Sequence, residues 1–172
     1  MTNPNNSGDL RAQSSELLEV LADEQDALEH LLFKLREQHL VLSSGEHRWL
    51  SHSTAEVESA VHVLTATGRR REDVVARVHR AHGLASDSNI AALAASVEDE
   101  LTCQQLLQRQ RSLRDVLDQV RRCSRQNRDI LAHGLAATND ALAILGSVPT
   151  YDSSGGVTLS GGPASVNLDT RV

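Results

Sequence analysis

A chain of 172 residues with a formal net charge of −6 has room for one domain plus flexible ends, and its acidity argues against nucleic acid as a first expectation. Apolar residues make up 40% of it but aromatic rings only 2%, so the core has to be leucine, valine and alanine, which suits helices zipped together and disfavours a ring-lined cofactor pocket. No apolar run approaches the roughly eighteen residues of a membrane span, and the first ten residues do not read as a signal segment, so no membrane insertion and a cytoplasmic location are expected.

Residues 1–13 are rich in Asn, Ser and Gly and are expected to be disordered. Ser14 or Ser15 is then placed to cap a first helix, with Glu16 and Glu19 in its first turn. Leu21, Leu28, Leu35 and Leu42 fall seven apart, and Leu17 and Leu31 fill the companion positions of the seam. Glu24 and Gln38 interrupt that seam. Ser43-Ser44-Gly45 supplies a glycine stop, and Phe33 and Trp49 read as core anchors near the first hairpin.

A second helix is expected from near Glu46 toward Ala81, with Leu50, Val57, Leu64 and Val78 on the same beat. Gly68 and Arg69-Arg70-Arg71 break the beat, with Arg71 on the seam, and predict a kink or loosened turn. His82-Gly83-Leu84 ends the helix. Ser86-Asp87-Ser88 reads as the cap of a short helix, Asn89 to about Ser96, that leads into the last and longest one.

That last helix, from about Val97 to Leu145, contains no proline and would run roughly 70 Å. Cys103 and Cys123 both lie on it, about 30 Å apart, so they cannot bridge. Its first half carries arginines at 109, 111, 114, 121, 122, 125 and 128, spread around the helix, against Asp115 and Asp118. Acidic residues dominate positions 15–43, and an up-down-up arrangement would run the first and last helices parallel, bringing Glu16–Glu29 near Arg109–Arg128. The arginines therefore read as a solvated, salt-bridged face rather than a nucleic-acid surface, and no aromatic residue interleaves them for stacking. Asn127, at a seam position, would help to set register.

From Ile130 the charge almost vanishes. At 100° per residue Leu131, Leu135, Leu142 and Leu145 form one ridge, and Ile130, Ala137, Ala141 and Ile144 form a second, with Gly134 between. Together they are wider than a single bundle seam needs, so one ridge can pack inside while the other faces a partner. Beyond Gly146, residues 147–172 form a Gly/Ser-rich tail, expected to be flexible, whose one aromatic residue is Tyr151. The fold expected is all-α: an elongated up-down helical bundle of antiparallel coiled-coil type, three long helices plus one short connecting helix, spanning residues 14–146.

Chemistry is hard to find in this sequence. No Glu-x-x-His pair is present for a di-iron bundle, and His79 with His82, or Glu58 with His62, lacks further ligands; no metal or other cofactor is expected. No CxxC, phosphate loop or nucleophile–base constellation stands out, so the chain does not read as an enzyme.

The order of segments carries more. Phe33-Lys34-Leu35, His47-Arg48-Trp49-Leu50, HGLASDSNIAALAA from His82, Asn127-x-x-x-Leu131-x-x-Gly134-Leu135 and Tyr151 together resemble the FlgN family of flagellar export chaperones, in particular forms from high-GC Gram-positive bacteria, over roughly residues 15–155. The resemblance implies a cytoplasmic helical chaperone that binds the C-terminal amphipathic helices of the hook–filament junction proteins FlgK and FlgL, prevents their premature assembly and delivers them to the type III export apparatus. It implies that the last helix holds the client, through Ile130, Leu131, Leu135, Leu142, Ile144 and Leu145. It also implies that Tyr151 docks on the export gate. The competing reading is a homo-oligomeric coiled-coil scaffold that covers the spare ridge with its own copy.

Overall fold

The computed structural model describes residues 4–85, 89–97, 99–146, 150–151 and 157–158, and the chain divides into two compact units, Met1–Ile130 and Leu131–Val172. The first unit is an all-α bundle. Helix α1 spans Pro4–Ser44, a single 3-10 turn (His47–Trp49) leads into α2 (Leu50–Ala81), the short α3 spans Ile90–Ser96, and α4 (Glu100–Gly146) contributes its residues up to Ile130.

Cross-helix contacts fix the directions. Glu16, Glu24 and Lys34 of α1 pair with Arg77, Arg71 and Glu56 of α2, so residue numbers rise on one helix as they fall on the other: the two are antiparallel. Gln25, Arg36 and His39 of α1 meet Arg109, Gln119 and Asn127 of α4, numbers rising together: these are parallel. The arrangement is the up-down-up one that the heptads predict.

The heptad positions make the core. Leu17, Val20 and Leu21 meet Val74 and Val78 of α2, Leu93 and Ala94 of α3 and Leu106 of α4, so the short helix helps to enclose one core cluster. Further along, Leu28, Leu31, Leu32 and Leu35 pack with Ala60 of α2 and with Val116, Val120 and Cys123 of α4. Burial raises the Cys123 thiol above its ordinary pKa, with Arg36 opposing.

The polar residues that interrupt the seam on separate helices meet one another. Arg71 Nε lies 3.0 Å from Glu24 Oε2. Burial raises the Glu24 carboxyl and the Arg71 guanidinium pulls it back. Gln38 donates to the Thr54 hydroxyl at 3.1 Å, and its Oε1 accepts from the Asn127 amide at 3.1 Å. The same amide nitrogen donates to the Leu35 carbonyl at 2.8 Å, and Asn127 Oδ1 lies 2.9 Å from His39 Nδ1. Both interruptions are thus layers of matched polar groups.

Four local expectations change. Helix α1 begins at Pro4, not at Ser14 or Ser15, which lie inside it; proline suits a first helical turn because the N–H it lacks would have no partner there. Helix α2 runs unbroken through Gly68, and Arg70 and Arg71 are tied to Asp23 and Glu24. The short helix is capped by Asn89, whose Oδ1 accepts the Ala92 N–H at 2.8 Å; the Ser86-Asp87-Ser88 cap lies outside the described residues. Helix α4 does not grow directly out of α3. Val97 is extended, and Asp99 restarts the helix by accepting the Thr102 N–H at 3.1 Å and the Thr102 hydroxyl, bonds that hold its carboxyl below the ordinary range. The glycine stops fall as expected, Gly45 at φ +71° and Gly83 at φ +65°.

In the second unit, Leu131 to Gly146 complete α4, and Thr150–Tyr151 pairs antiparallel with Val157–Thr158, Tyr151 opposite Val157. A flexible Gly/Ser-rich tail carries no expectation of a strand. β-Branched and aromatic residues on either side of Asp-Ser-Ser-Gly-Gly carry the local signal for one.

Candidate functional site

The proposed contact residues divide sharply by burial. Ile130, the last residue of the first unit, is half-buried, whereas every side chain from Leu131 to Leu145 is exposed. The fractions are large for aliphatic side chains: 42% for Leu131, 64% for Leu135, 60% for Leu142, 67% for Ile144 and 68% for Leu145. The expectation that one ridge packs inside therefore needs correction, because the leucine ridge and the Ala137–Ala141–Ile144 ridge both face outward. The physical reason is a matter of supply: the segment keeps a seam's periodicity, but among the described residues no side chain covers it.

Charge is nearly absent across this surface. Between Ile130 and Gly146 the ionisable residues are His133 and Asp140. Thr138 turns its hydroxyl inward to the Gly134 carbonyl at 2.9 Å, which leaves its methyl group as the outward feature. An added Cβ at Gly134 would meet nothing within 4 Å, so the glycine is a dip in the exposed face rather than a response to crowding. Exposed apolar surface of this kind is the physical character that interaction sites share.

Other candidates resolve differently. Phe33 and Trp49, expected in the core, are 55% and 52% exposed. Phe33 lies two residues from both Leu31 and Leu35, about 200° around the helix from each, so burying those leucines turns it outward. Trp49 sits in the 3-10 turn, which contains no buried residue. A cation lies over each ring, Lys34 Nζ at 5.3 Å from Phe33 and Arg48 at 5.5 Å from Trp49. The heptad phase alone was enough to place Phe33 outside.

The acids of α1 also choose unexpected partners. Glu16, Asp23 and Glu24 pair with Arg77, Arg70 and Arg71 of α2, not with the arginines of α4. His79 is buried, and His82 Nδ1 lies 3.2 Å from the Ser96 hydroxyl. Among the described residues, no three His, Cys, Asp or Glu side chains are grouped to hold a metal ion, and no helix is long and apolar enough to cross a membrane.

Comparison with protein families matches residues 13–156 to the FlgN protein family. The chain belongs to the FlgN family. Membership makes it a chaperone of flagellar biogenesis and protein export, and the matched span includes both the bundle and the exposed end of α4. Comparison with curated proteins and with solved structures finds no match.

Proposed function

We propose that this FlgN-family chain acts in the cytoplasm on the hook–filament junction proteins FlgK and FlgL, holding their C-terminal amphipathic helices against Leu131–Leu145 until they reach the export apparatus. The observation that carries the reading is the exposure of Leu131, Leu135, Leu142 and Leu145 on one ridge of the nearly uncharged end of α4. An amphipathic client helix offers the complementary stripe, in the manner of a helix laid into an apolar groove. Covering each partly exposed leucine contributes about 1 kcal/mol, so useful affinity requires the whole ridge together. Ile130 and Ile144 flank it as secondary contacts. Catalysis has no part in this reading, and Tyr151 is assigned to docking on the export gate.

The test is capture of a C-terminal fragment of a junction protein by the full-length chain. Leu131→Asp with Leu142→Asp is expected to abolish capture while far-UV circular dichroism stays helical. Capture that survives the double substitution would remove the ridge from the site. A stable dimer in light scattering that hides Leu131–Leu145 would instead favour the scaffold. Tyr151→Ala is expected to leave capture intact and lower export; unchanged export would free the tyrosine from that role.

A further inference from the structure

A second surface lies on α4, upstream of the apolar one and of opposite character. Arg111, Arg114, Arg121, Arg122, Arg125 and Arg128 are all exposed. At 100° per residue they fall within an arc of about 120°. The seventh arginine, Arg109, lies outside the arc and is engaged with Gln25 of α1 at 2.9 Å. The six are therefore not spread around the helix, as the sequence suggested, but gathered on its solvent side. Leu106, Val116, Val120, Cys123 and Asn127 take the opposite face into the core.

The stripe is also largely unpaired. Arg121 lies 3.5 Å from Asp118 of its own helix, an exposed pair. Among the described residues the other five make no ion pair and no side-chain hydrogen bond. By contrast Arg70, Arg71 and Arg77 of α2 take up Asp23, Glu24 and Glu16, three of the α1 acids expected beside α4. Placement, not composition, thus leaves a basic stripe on a chain whose net charge is −6.

We infer that this stripe is a docking surface for an acidic helical segment of a partner protein. Arg111, Arg114, Arg121, Arg125 and Arg128 recur at steps of three, seven, four and three residues, the spacings at which a helix lying alongside presents carboxylates from one face. Asp115, Asp118 and Asp129 are interspersed with the arginines, which suits discrete carboxylates with gaps between them and opposes an unbroken polyanion. No aromatic residue lies between Arg109 and Arg128 to stack on a base, so nucleic acid fits poorly. The guanidinium fork matches a carboxylate in two-point contact, and such contacts govern encounter rate and register. This inference does not depend on the client of the apolar ridge.

The test measures binding of the full-length chain to a labelled synthetic helical peptide of about 20 residues. Its glutamates stand at the spacing of Arg111, Arg114, Arg121, Arg125 and Arg128, and a control peptide distributes the same glutamates around the helix. The one-faced peptide should bind roughly tenfold tighter than its control, and affinity should fall as salt rises. Arg114→Gln, Arg121→Gln and Arg125→Gln together should weaken it about tenfold, whereas Arg69→Gln on α2 should not. Equal affinity for the two peptides overturns the inference, as does indifference to the triple substitution. So does tighter binding of duplex DNA or phosphatidylglycerol vesicles, or a self-association that the triple substitution abolishes, which would make the occupant a second copy.

Discussion

The two ends of α4 follow the same apolar periodicity and meet opposite fates. Up to Asn127 its seam side chains are buried: Leu106 fully, Val116, Val120 and Cys123 almost so. From Leu131 onward leucines at the same helical spacing are exposed. A heptad pattern thus states which face needs cover, but not whether the same chain provides it. The comparison breaks most readily by truncation. Leu106→Ala should cost about 3 kcal/mol, because transfer and cavity terms both apply in an enclosed site. Leu142→Ala should stay within about 0.5 kcal/mol, as for other surface positions. Urea unfolding of the two variants decides it, and similar losses would mean that Leu142 is packed in solution.

Polar layers sharpen the contrast, because they occur only where neighbouring helices can answer them. Arg71→Leu should cost about 2 kcal/mol, leaving the half-buried Glu24 carboxylate without its partner; this is below the range for fully buried pairs because Arg71 is one-third exposed. The double variant with Glu24→Leu should recover most of the loss in urea unfolding. Glu24 also carries a pH signature. Its folded-state pKa is raised from 4.5, so the unfolded chain releases this proton first as pH rises. The Glu24 contribution to stability therefore falls from the unfolded pKa upward and levels off above the folded pKa, and Glu24→Gln should flatten that part of the profile. Asn127→Ala, which removes the donor to Gln38 Oε1 and the partner of His39 Nδ1, should cost about 1–2 kcal/mol by the same measurement.

Much of this was legible in residue spacing. The leucines seven apart on α1, the glycine stops at Gly45 and Gly83 and the parallel run of α1 with α4 all follow from local periodicity and turn chemistry. So does the apolar excess after Ile130, though the sequence implied that half of it would be packed. What spacing could not give is the identity of partners across helices. Glu24, Gln38 and Arg71 each looked like a flaw in its own helix, yet Glu24 meets Arg71 and Gln38 meets Asn127. The α1 acids had two arginine-rich helices to choose from, and net charge does not say which. Among competing caps, Ser14, Ser15 and Ser86–Ser88 matched the preferred residue types, but Pro4 begins α1 and Asn89 and Asp99 cap the helices that follow. Side-chain type marks where a helix can start, but it does not choose among several such positions.

The smallest effect tests whether the two ends of α4 act independently. Helix α3 is only seven residues long, too short to persist alone, yet its Leu93 and Ala94 are almost wholly buried against Leu17 and Leu106. Its one side-chain cap is Asn89, so Asn89→Ala should lower stability by about 1 kcal/mol, while Asn89→Asp keeps an acceptor and should cost less. Urea midpoints measure that loss, and hydrogen exchange should show it shared by the buried seam of residues 106–127. Residues 131–145 should exchange as before, and binding of a junction-protein fragment should be unchanged, because their exposed side chains are not among those that form the core that α3 encloses. If fragment binding instead weakens in step with the lost stability, the exposed segment draws its shape from the bundle and the two ends of α4 form a single cooperative element.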